Sequence, residues 1–163
     1  MFTGTVKDNI IFGDNGKKES TDDEIKKAIA VAQATDFVEK MDGELNAHIA
    51  RGGTNVSGGQ KQRLSIARAI ARNPEIYIFD DTFSALDYKT DATLRKELRK
   101  YTKDATCLIV AQRIGTIMNA DKIIVLDKGK CVGIGTHKEL LKNCSVYKEI
   151  ALSQFREEEL NNA

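Results

Sequence analysis

The sequence lacks the features that would place it in several large classes of protein. No apolar run approaches the roughly 18 residues that a membrane-spanning helix needs. The first residues, Met1–Gly4, do not show the charged-then-apolar pattern of a signal peptide. Tryptophan is absent and proline occurs once, and these two scarcities exclude nothing by themselves. We therefore expect a soluble chain that does not anchor itself in a membrane.

Cysteine and net charge are also low. Cys107, Cys131 and Cys144 are an odd number without a CxxC pair, which argues against a disulfide framework or a zinc site and favours free thiols in a reducing cytosol. Cys107 and Cys131 fall in strand patterns, so we expect them to be small core residues. Lys and Arg total 25 against 24 Asp and Glu, and no global field would recruit nucleic acid or an anionic membrane.

The remaining composition is that of a globular protein, with 41% hydrophobic and 30% charged residues in a chain of 163. Hydrophobic periodicity and turn residues predict mostly helix before about residue 73 and alternation of strand and helix after it. The predicted elements are an extended segment over 1–12, a helix from the Thr21–Glu24 capping box, a short helix over 36–41, a helix from 58, buried strands over 76–80 and 107–111, a helix over 91–100, a hairpin of 123–127 and 130–134, and helices over 136–142 and 146–155.

The segment Asn55–Leu64 carries the first chemical motif. Ser57-Gly58-Gly59 directly precedes an apolar-periodic run, so a helix begins there with exposed N–H groups and the positive end of its dipole. Glycines at such an end let a phosphate approach closely, which makes it a candidate anion site. The alternative is an ordinary serine-capped helix after a glycine turn.

Acidic residues follow the next predicted strand. Asp80 ends an apolar strand, where a carboxylate is well placed to hold Mg²⁺, and Asp81 could polarise a water molecule. The same Asp-Asp pair could simply begin a turn. Ser84 and Asp87 could likewise cap the next helix, because both residue types favour that position.

The ordered set of these motifs resembles the nucleotide-binding domain of ABC transporters, closest to the exporter branch. Val56–Gln60 is similar to the ABC signature, Ile76–Asp80 to the Walker B strand and Ser84–Asp87 to the D-loop. Phe2–Ile10 resembles the segment after the Q-loop, and Gly135–Leu140 the start of the C-terminal helix. The likeness therefore covers nearly the whole chain.

This resemblance implies an α/β fold, namely part of a P-loop NTPase domain. We expect a helical subdomain over about 14–72, the C-terminal part of a parallel sheet with a terminal hairpin over 73–155, and a frayed tail over 156–163. No G-x-x-x-x-G-K-[ST] loop is present, so we expect the chain to start partway into the domain, as a piece of a longer polypeptide.

Two further departures concern catalysis. Asp81 stands where active sites of the family carry Glu, and its shorter side chain would place the carboxylate about 1 Å short of the attacking water. Gln112, in a segment that resembles the switch loop, stands where the family has His, and glutamine cannot shuttle a proton. Both substitutions point to the degenerate half of a heterodimeric exporter. We expect this fragment alone to be inactive.

The resemblance also implies the cofactors and partners. ATP and Mg²⁺ would bind, with Asp80 on the metal, and each ATP site would pair one subunit's Walker motifs with the other's signature. Ser57, Gly58, Gly59 and Gln60 would then contribute to ATP that a second nucleotide-binding domain holds, and Ser84 and Asp87 would be further cofactor-binding residues. Transmembrane domains would be further partners at the cytoplasmic face of the cell membrane, and no nucleic acid is expected.

Two alternatives stay open: a soluble ABC ATPase of the translation or DNA-repair type, and a non-catalytic interaction fragment. An unpaired apolar strand edge also predicts that the isolated fragment self-associates.

Overall fold

The chain combines helices with short strands in the computed structural model, which describes residues 1–13 and 20–155. The helices are α1 (Val6–Ile11), α2 (Asp22–Val31), α3 (Thr35–Val38), α4 (Gly58–Arg72), α5 (Tyr88–Tyr101), α6 (Ile114–Ile117), α7 (His137–Asn143) and α8 (Ser145–Gln154). The strands are β1 (Gly4–Thr5), β2 (His48–Ile49), β3 (Ile76–Asp80), β4 (Thr106–Val110), β5 (Ile123–Asp127) and β6 (Lys130–Gly135). The predicted α/β class is confirmed.

Two compact units make up the chain, Met1–Leu108 and Ile109–Ala163. The predicted boundary between a helical subdomain and a sheet at residues 72/73 stays a prediction. The positions 14–19 and 156–163, where the sequence predicts a polar loop and a frayed tail, lie outside the described residues.

The first unit is built around α4, against which α1 and α2 pack. Leu64, Ile66, Ala67 and Ile70 of α4 are all at most 1% exposed, and they follow the helical period that the sequence shows. The predicted capping box of α2 is confirmed, since the Thr21 hydroxyl accepts the N–H of Glu24 and the Glu24 carboxylate accepts the N–H of Thr21.

The extended segment expected over residues 1–12 is wrong, because α1 occupies half of it. Thr5 caps this helix: its hydroxyl accepts the Asp8 N–H at 3.0 Å, and the Asp8 carboxylate accepts the Thr5 N–H at 2.8 Å. Val6 and Ile10 are fully buried. A six-residue helix is marginal by itself, so packing against α4 stabilises it and local pattern does not reveal it.

Arg68 of α4 joins the amino-terminal segment to this core. Its Nε donates to the Asn9 carbonyl at 2.6 Å, and its guanidinium lies over the Phe2 ring at 4.7 Å and the Phe12 ring at 5.7 Å. Asn9 is fully buried, and its side chain bonds the backbone of Phe2 in both directions at 3.0 Å. The segment is therefore held by contacts far apart in sequence.

The prediction that β3 and β4 are buried on both faces is wrong. Tyr77 and Phe79 are buried, but Ile76 and Ile78 between them are 62% and 68% exposed. Leu108 of β4 is 51% exposed. Among the described residues β3 pairs only with β4, and the exposure of Ile76 and Ile78 shows that one face of the strand is uncovered there. The same exposure overturns the expectation for Cys107, which is exposed rather than a core residue.

The second unit contains the predicted hairpin. β5 and β6 are antiparallel, with Ile123 opposite Gly135 and Asp127 opposite Lys130. The two turn residues, Lys128 and Gly129, have φ of 47° and 75°, as a tight hairpin turn requires. One face packs on α7 and α8 around a core of Ile114, Ile123, Val125, Leu140, Cys144, Tyr147 and Ala151. Cys131 of β6 lies on the other face and is exposed, so the expectation of a core residue is wrong there as well.

Candidate functional site

Ser57 forms the amino-terminal cap of α4. Its hydroxyl accepts the Gln60 N–H at 3.3 Å, and the Gln60 side chain accepts the Ser57 N–H at 2.9 Å. This reciprocal box fixes the first turn, while Ser57 and Gly58 remain exposed. The N–H groups of Gly58 and Gly59 belong to the first turn and have no carbonyl partner within the helix. The helix end thus carries two N–H donors without a partner inside the helix, next to the exposed Ser57.

The two glycines also face the Asp81–Leu86 turn, which follows β3. A Cβ added at Gly59 would lie 3.1 Å from the Ala85 carbonyl oxygen and 3.6 Å from Leu86 Cδ2. One added at Gly58 would lie 3.8 Å from the Ala85 Cβ. A side chain at position 59 would therefore press the turn away from the helix, which gives this glycine a packing reason as well as a possible ligand-binding one.

Asp80 and Asp81 lie at the carboxyl end of β3, and both side chains are exposed. Asp81 adopts a left-handed backbone with φ of 46°, a conformation that Asp tolerates better than most residues. Its carbonyl accepts the Ser84 hydroxyl at 3.0 Å and the Ser84 N–H at 3.4 Å. The Thr82 hydroxyl donates to the Asp80 carbonyl at 3.3 Å. Backbone bonds hold the turn, and both carboxylates are left to face solvent.

Asp87 is the amino-terminal cap of α5, as the capping alternative predicts. Its carboxylate accepts the Thr90 hydroxyl at 2.6 Å and the Thr90 N–H at 3.0 Å. These two hydrogen bonds, the hydroxyl first, lower the pKa of Asp87. Ser84 does not cap the helix; it bonds within the turn and to Gln62 of α4. The first unit therefore brings Ser57–Gln60 and the Asp81–Leu86 turn together.

Gln112 belongs to the second unit, and its side chain is exposed. Its carbonyl accepts the Gln154 side-chain N–H at 2.8 Å, and the other end of that amide accepts the Ile114 N–H at 2.8 Å. Gln154 thus fixes the backbone on both sides of residue 113.

Gln62 is the residue that sequence reasoning misses. Its amide oxygen accepts the Ala85 N–H at 3.1 Å, and its nitrogen donates to the Ser84 hydroxyl at 3.2 Å. The available indication was spacing, because Gln62 lies one helical turn beyond Gly58 and Gly59 and on their face of α4. Nothing in the sequence identifies the turn as its partner.

The donors and carboxylates fit ATP with Mg²⁺. Exposed N–H groups and the Ser57 hydroxyl suit phosphate oxygens, and one or two carboxylates, here Asp80, suffice for Mg²⁺ when phosphates complete its shell. No group of three or more His, Cys, Asp or Glu within the described residues could hold a metal by itself. In the same part of the chain, no helix has the length and apolarity needed to span a membrane.

Comparison with known proteins covers the same motifs. The ABC transporter family model matches residues 3–84, about half of the chain. An uncharacterized ABC transporter ATP-binding protein of Mycobacterium bovis is 50% identical over 94% of this chain. A Rickettsia conorii protein, provisionally described as an export ATP-binding/permease protein, is 41% identical over 95%. The chain spans 26% of the length of each of these two relatives.

A solved structure gives the same result for the fold. A bacterial Atm1-family ABC exporter with ATP bound matches with a TM-score of 0.88 and 32% identity, over 94% of this chain and 27% of the exporter chain. Together with the family match, this means that the chain belongs to the ABC transporter family, as part of an ATP-binding domain homologous to those of exporters.

Proposed function

We propose that this chain is part of the ATP-binding domain of an ABC exporter and supplies its Ser57–Gln60 motif to ATP held by a second domain. The observation that carries the proposal is the helix end itself. Ser57 and Gly58 are exposed at the start of α4, and the first turn is fixed by the Ser57–Gln60 capping box. An anion that contacts this end needs no rearrangement of the helix, and a bound γ-phosphate could be supplied from outside the chain.

The chain's own ATP site would turn over slowly. Asp80 would hold Mg²⁺, while Asp81 and Gln112 replace the glutamate and histidine that the family uses for hydrolysis. An Asp carboxylate at position 81 reaches less far toward a water molecule, and Gln112 can donate a hydrogen bond but cannot accept a proton in exchange. Binding of ATP at this site would then contribute to closing the two domains more than to turnover.

We propose export as the function of the complete transporter to which this chain would belong. The Rickettsia conorii relative is described as an export ATP-binding/permease protein, and the matching structure is an exporter. We place the chain at the cytoplasmic face of a membrane, where ATP binding and hydrolysis would be coupled to movement of a substrate by transmembrane domains. The second ATP-binding domain would differ in sequence, so that one site of the pair is competent.

Substitution of Ser57 tests the proposal. In a transporter that contains this chain and its partner domain, Ser57→Ala removes one phosphate donor and should lower ATP turnover about 10²-fold. Ser65→Ala is the matched control, because Ser65 is an exposed serine on the same helix, two turns away. Gln112→His should change the total rate much less. Equal rates for Ser57→Ala and Ser65→Ala, or a larger effect of Gln112→His, would overturn the proposed division between the sites.

A further inference from the structure

We infer that Gln62 is a positioning residue that fixes the Asp81–Leu86 turn to the start of α4, so that the two candidate ATP-contacting segments of this chain move together. The inference rests on the proposed function in one respect, namely that these two segments contact ATP. Its geometry lies entirely within the first unit and does not depend on any nucleotide.

One face of α4 makes the contact. Gly58, Gly59 and Gln62 are spaced i, i+1 and i+4, so the glycines and the glutamine project on the same side of the helix. The absence of side chains at Gly58 and Gly59 lets Ala85 approach, with its carbonyl oxygen 3.1 Å from the position a Gly59 Cβ would take. Close packing at the glycines therefore brings the turn within reach of the longer side chain.

The Gln62 amide then bonds the turn through both of its ends. Its oxygen accepts the Ala85 N–H at 3.1 Å, and its nitrogen donates to the Ser84 hydroxyl at 3.2 Å and, at a longer 3.5 Å, to the Asp81 carbonyl. A side chain with only an acceptor or only a donor could not make the full set. The amide thus matches the turn in chemistry as well as in reach.

One side of this turn is buried and the other is exposed. Phe83 and Leu86 are buried, whereas Asp81, Ser84 and Ala85 are exposed. Exposed backbone opens at lower free-energy cost than the core, so a hydrogen bond to the exposed side of the turn has a measurable effect on its opening. Gln62 ties the exposed residues Ser84 and Ala85 of the turn to the helix that Ser57 caps.

This arrangement has a consequence for the proposed function. Ser57 would face ATP held by the partner, whereas Asp80 and Asp81 belong to the chain's own site. Displacement of the turn at Asp81 would be passed through Gln62 to the first turns of α4, and the reverse would also hold. The amide would therefore connect the state of one ATP site with the geometry of the other.

Amide hydrogen exchange on the 163-residue chain, without nucleotide, tests the positioning role. Gln62→Met keeps length and helix propensity but removes every hydrogen bond, and it should raise exchange of the Ala85 amide about tenfold. Exchange at Leu64 and Ala67 of α4 should not change. Gln62→Glu keeps an acceptor for the Ala85 N–H, so it should restore part of the protection at Ala85.

Gln154→Met is the matched control. Gln154 makes the same kind of two-ended amide bridge in the second unit, so its loss should raise exchange at Ile114 and leave Ala85 unchanged. Unchanged exchange at Ala85 in Gln62→Met would overturn the inference. An equal rise throughout α4 would also overturn it, because that is general destabilisation.

The result separates the two proposals. If Gln62→Met releases Ala85 while Ser57→Ala leaves ATP turnover of the assembled transporter unaltered, the positioning role stands and the proposed function fails. If Ser57→Ala abolishes turnover while Ala85 stays protected in Gln62→Met, the reverse holds.

Discussion

The residue type at position 81 affects both the backbone conformation of the turn and the proposed chemistry. Its left-handed φ of 46° is tolerated by Asp because the short polar side chain can interact locally, whereas longer side chains are less favoured there. A glutamate at position 81 would therefore have to adopt a left-handed backbone conformation that suits aspartate better. Asp81 can adopt the backbone conformation that the turn requires without having the reach that ATP hydrolysis would require.

Restoring the longer side chain should show this conflict. In the assembled transporter, Asp81→Glu should raise ATP turnover at the chain's own site, by up to about 10²-fold if reach alone limits the rate. The same change should lower the melting temperature of the isolated chain, at a cost of up to about 1 kcal/mol. Asp81→Asn is the control, since it suits the left-handed backbone but supplies no base. A gain in turnover with Asp81→Asn would contradict the role given to reach.

Residue types alone predicted only part of this site. The serine cap at Ser57 and the capping role of Asp87 are local, so the sequence shows the residues that make them. The left-handed Asp81 and the Gln62 bridge depend on contacts between segments about 20 residues apart, and no local pattern specifies them. Sequence could therefore predict which residues matter but not how the turn and the helix are joined.

At the level of elements, the pairing of α7 with α8 carries a buried titratable group. His137 is 4% exposed, and its Nδ1 lies 2.7 Å from the Tyr147 hydroxyl. Its Nε2 is buried and has no hydrogen-bond partner within residues 1–13 and 20–155. Burial, and then the positive charge of Lys138, lower the pKa of His137, and burial raises the pKa of Tyr147 to about 12. This contact is adapted to a neutral imidazole.

Stability of the chain should accordingly fall with acid. The pKa of His137 in the folded chain lies below its unfolded value of about 6.5. The contribution of neutral His137 to the free energy of unfolding is therefore fully present above that pH and is lost as the pH falls below it. For one proton, the free energy of unfolding changes by at most about 1.4 kcal/mol per pH unit. Thermal melts between pH 7.5 and 5 should show the loss, and His137→Phe should flatten it. His48→Phe, at an exposed histidine, should keep the wild-type profile; an identical profile for both variants would argue against His137.

Element types were more predictable than burial. The capping box of α2 and the Lys128-Gly129 turn are encoded within a few residues, and each element formed where the pattern placed it. α1 and the two faces of β3 were not predictable locally, because they depend on which other elements are present to pack against them. An apolar strand shows that burial is favourable, but it does not show what covers it.

At the scale of the whole molecule, uncovered apolar strand surface is the main liability. Ile76 and Ile78 project from one face of β3 and are more than half exposed, while Tyr77 and Phe79 bury the other face. Exposed apolar strands of this kind promote pairing with other chains. We therefore expect the isolated chain to self-associate at micromolar concentrations.

Sedimentation velocity over a range of concentrations measures this association. Ile76→Thr combined with Ile78→Thr keeps β-branched residues in the strand but makes the face less apolar, and it should shift the distribution toward monomer. Tyr88→Thr is the control, because Tyr88 is 80% exposed but lies on α5. A wild-type chain that is monomeric at every concentration would show that the exposed face is harmless in solution.

The placement of Arg68 beside the adjoining Phe2 and Phe12 rings, whose centroids are 4.1 Å apart, has a practical consequence for following this chain by optical spectroscopy. The chain has no tryptophan, so Phe12→Trp would introduce a single indole fluorophore. That ring would replace one that lies 5.7 Å from the guanidinium of Arg68, on the helix that begins at Ser57. A cation over the ring face perturbs its electronic environment, so the emission would report how the amino-terminal segment is seated while nucleotide or a partner domain acts at the far end of the same helix.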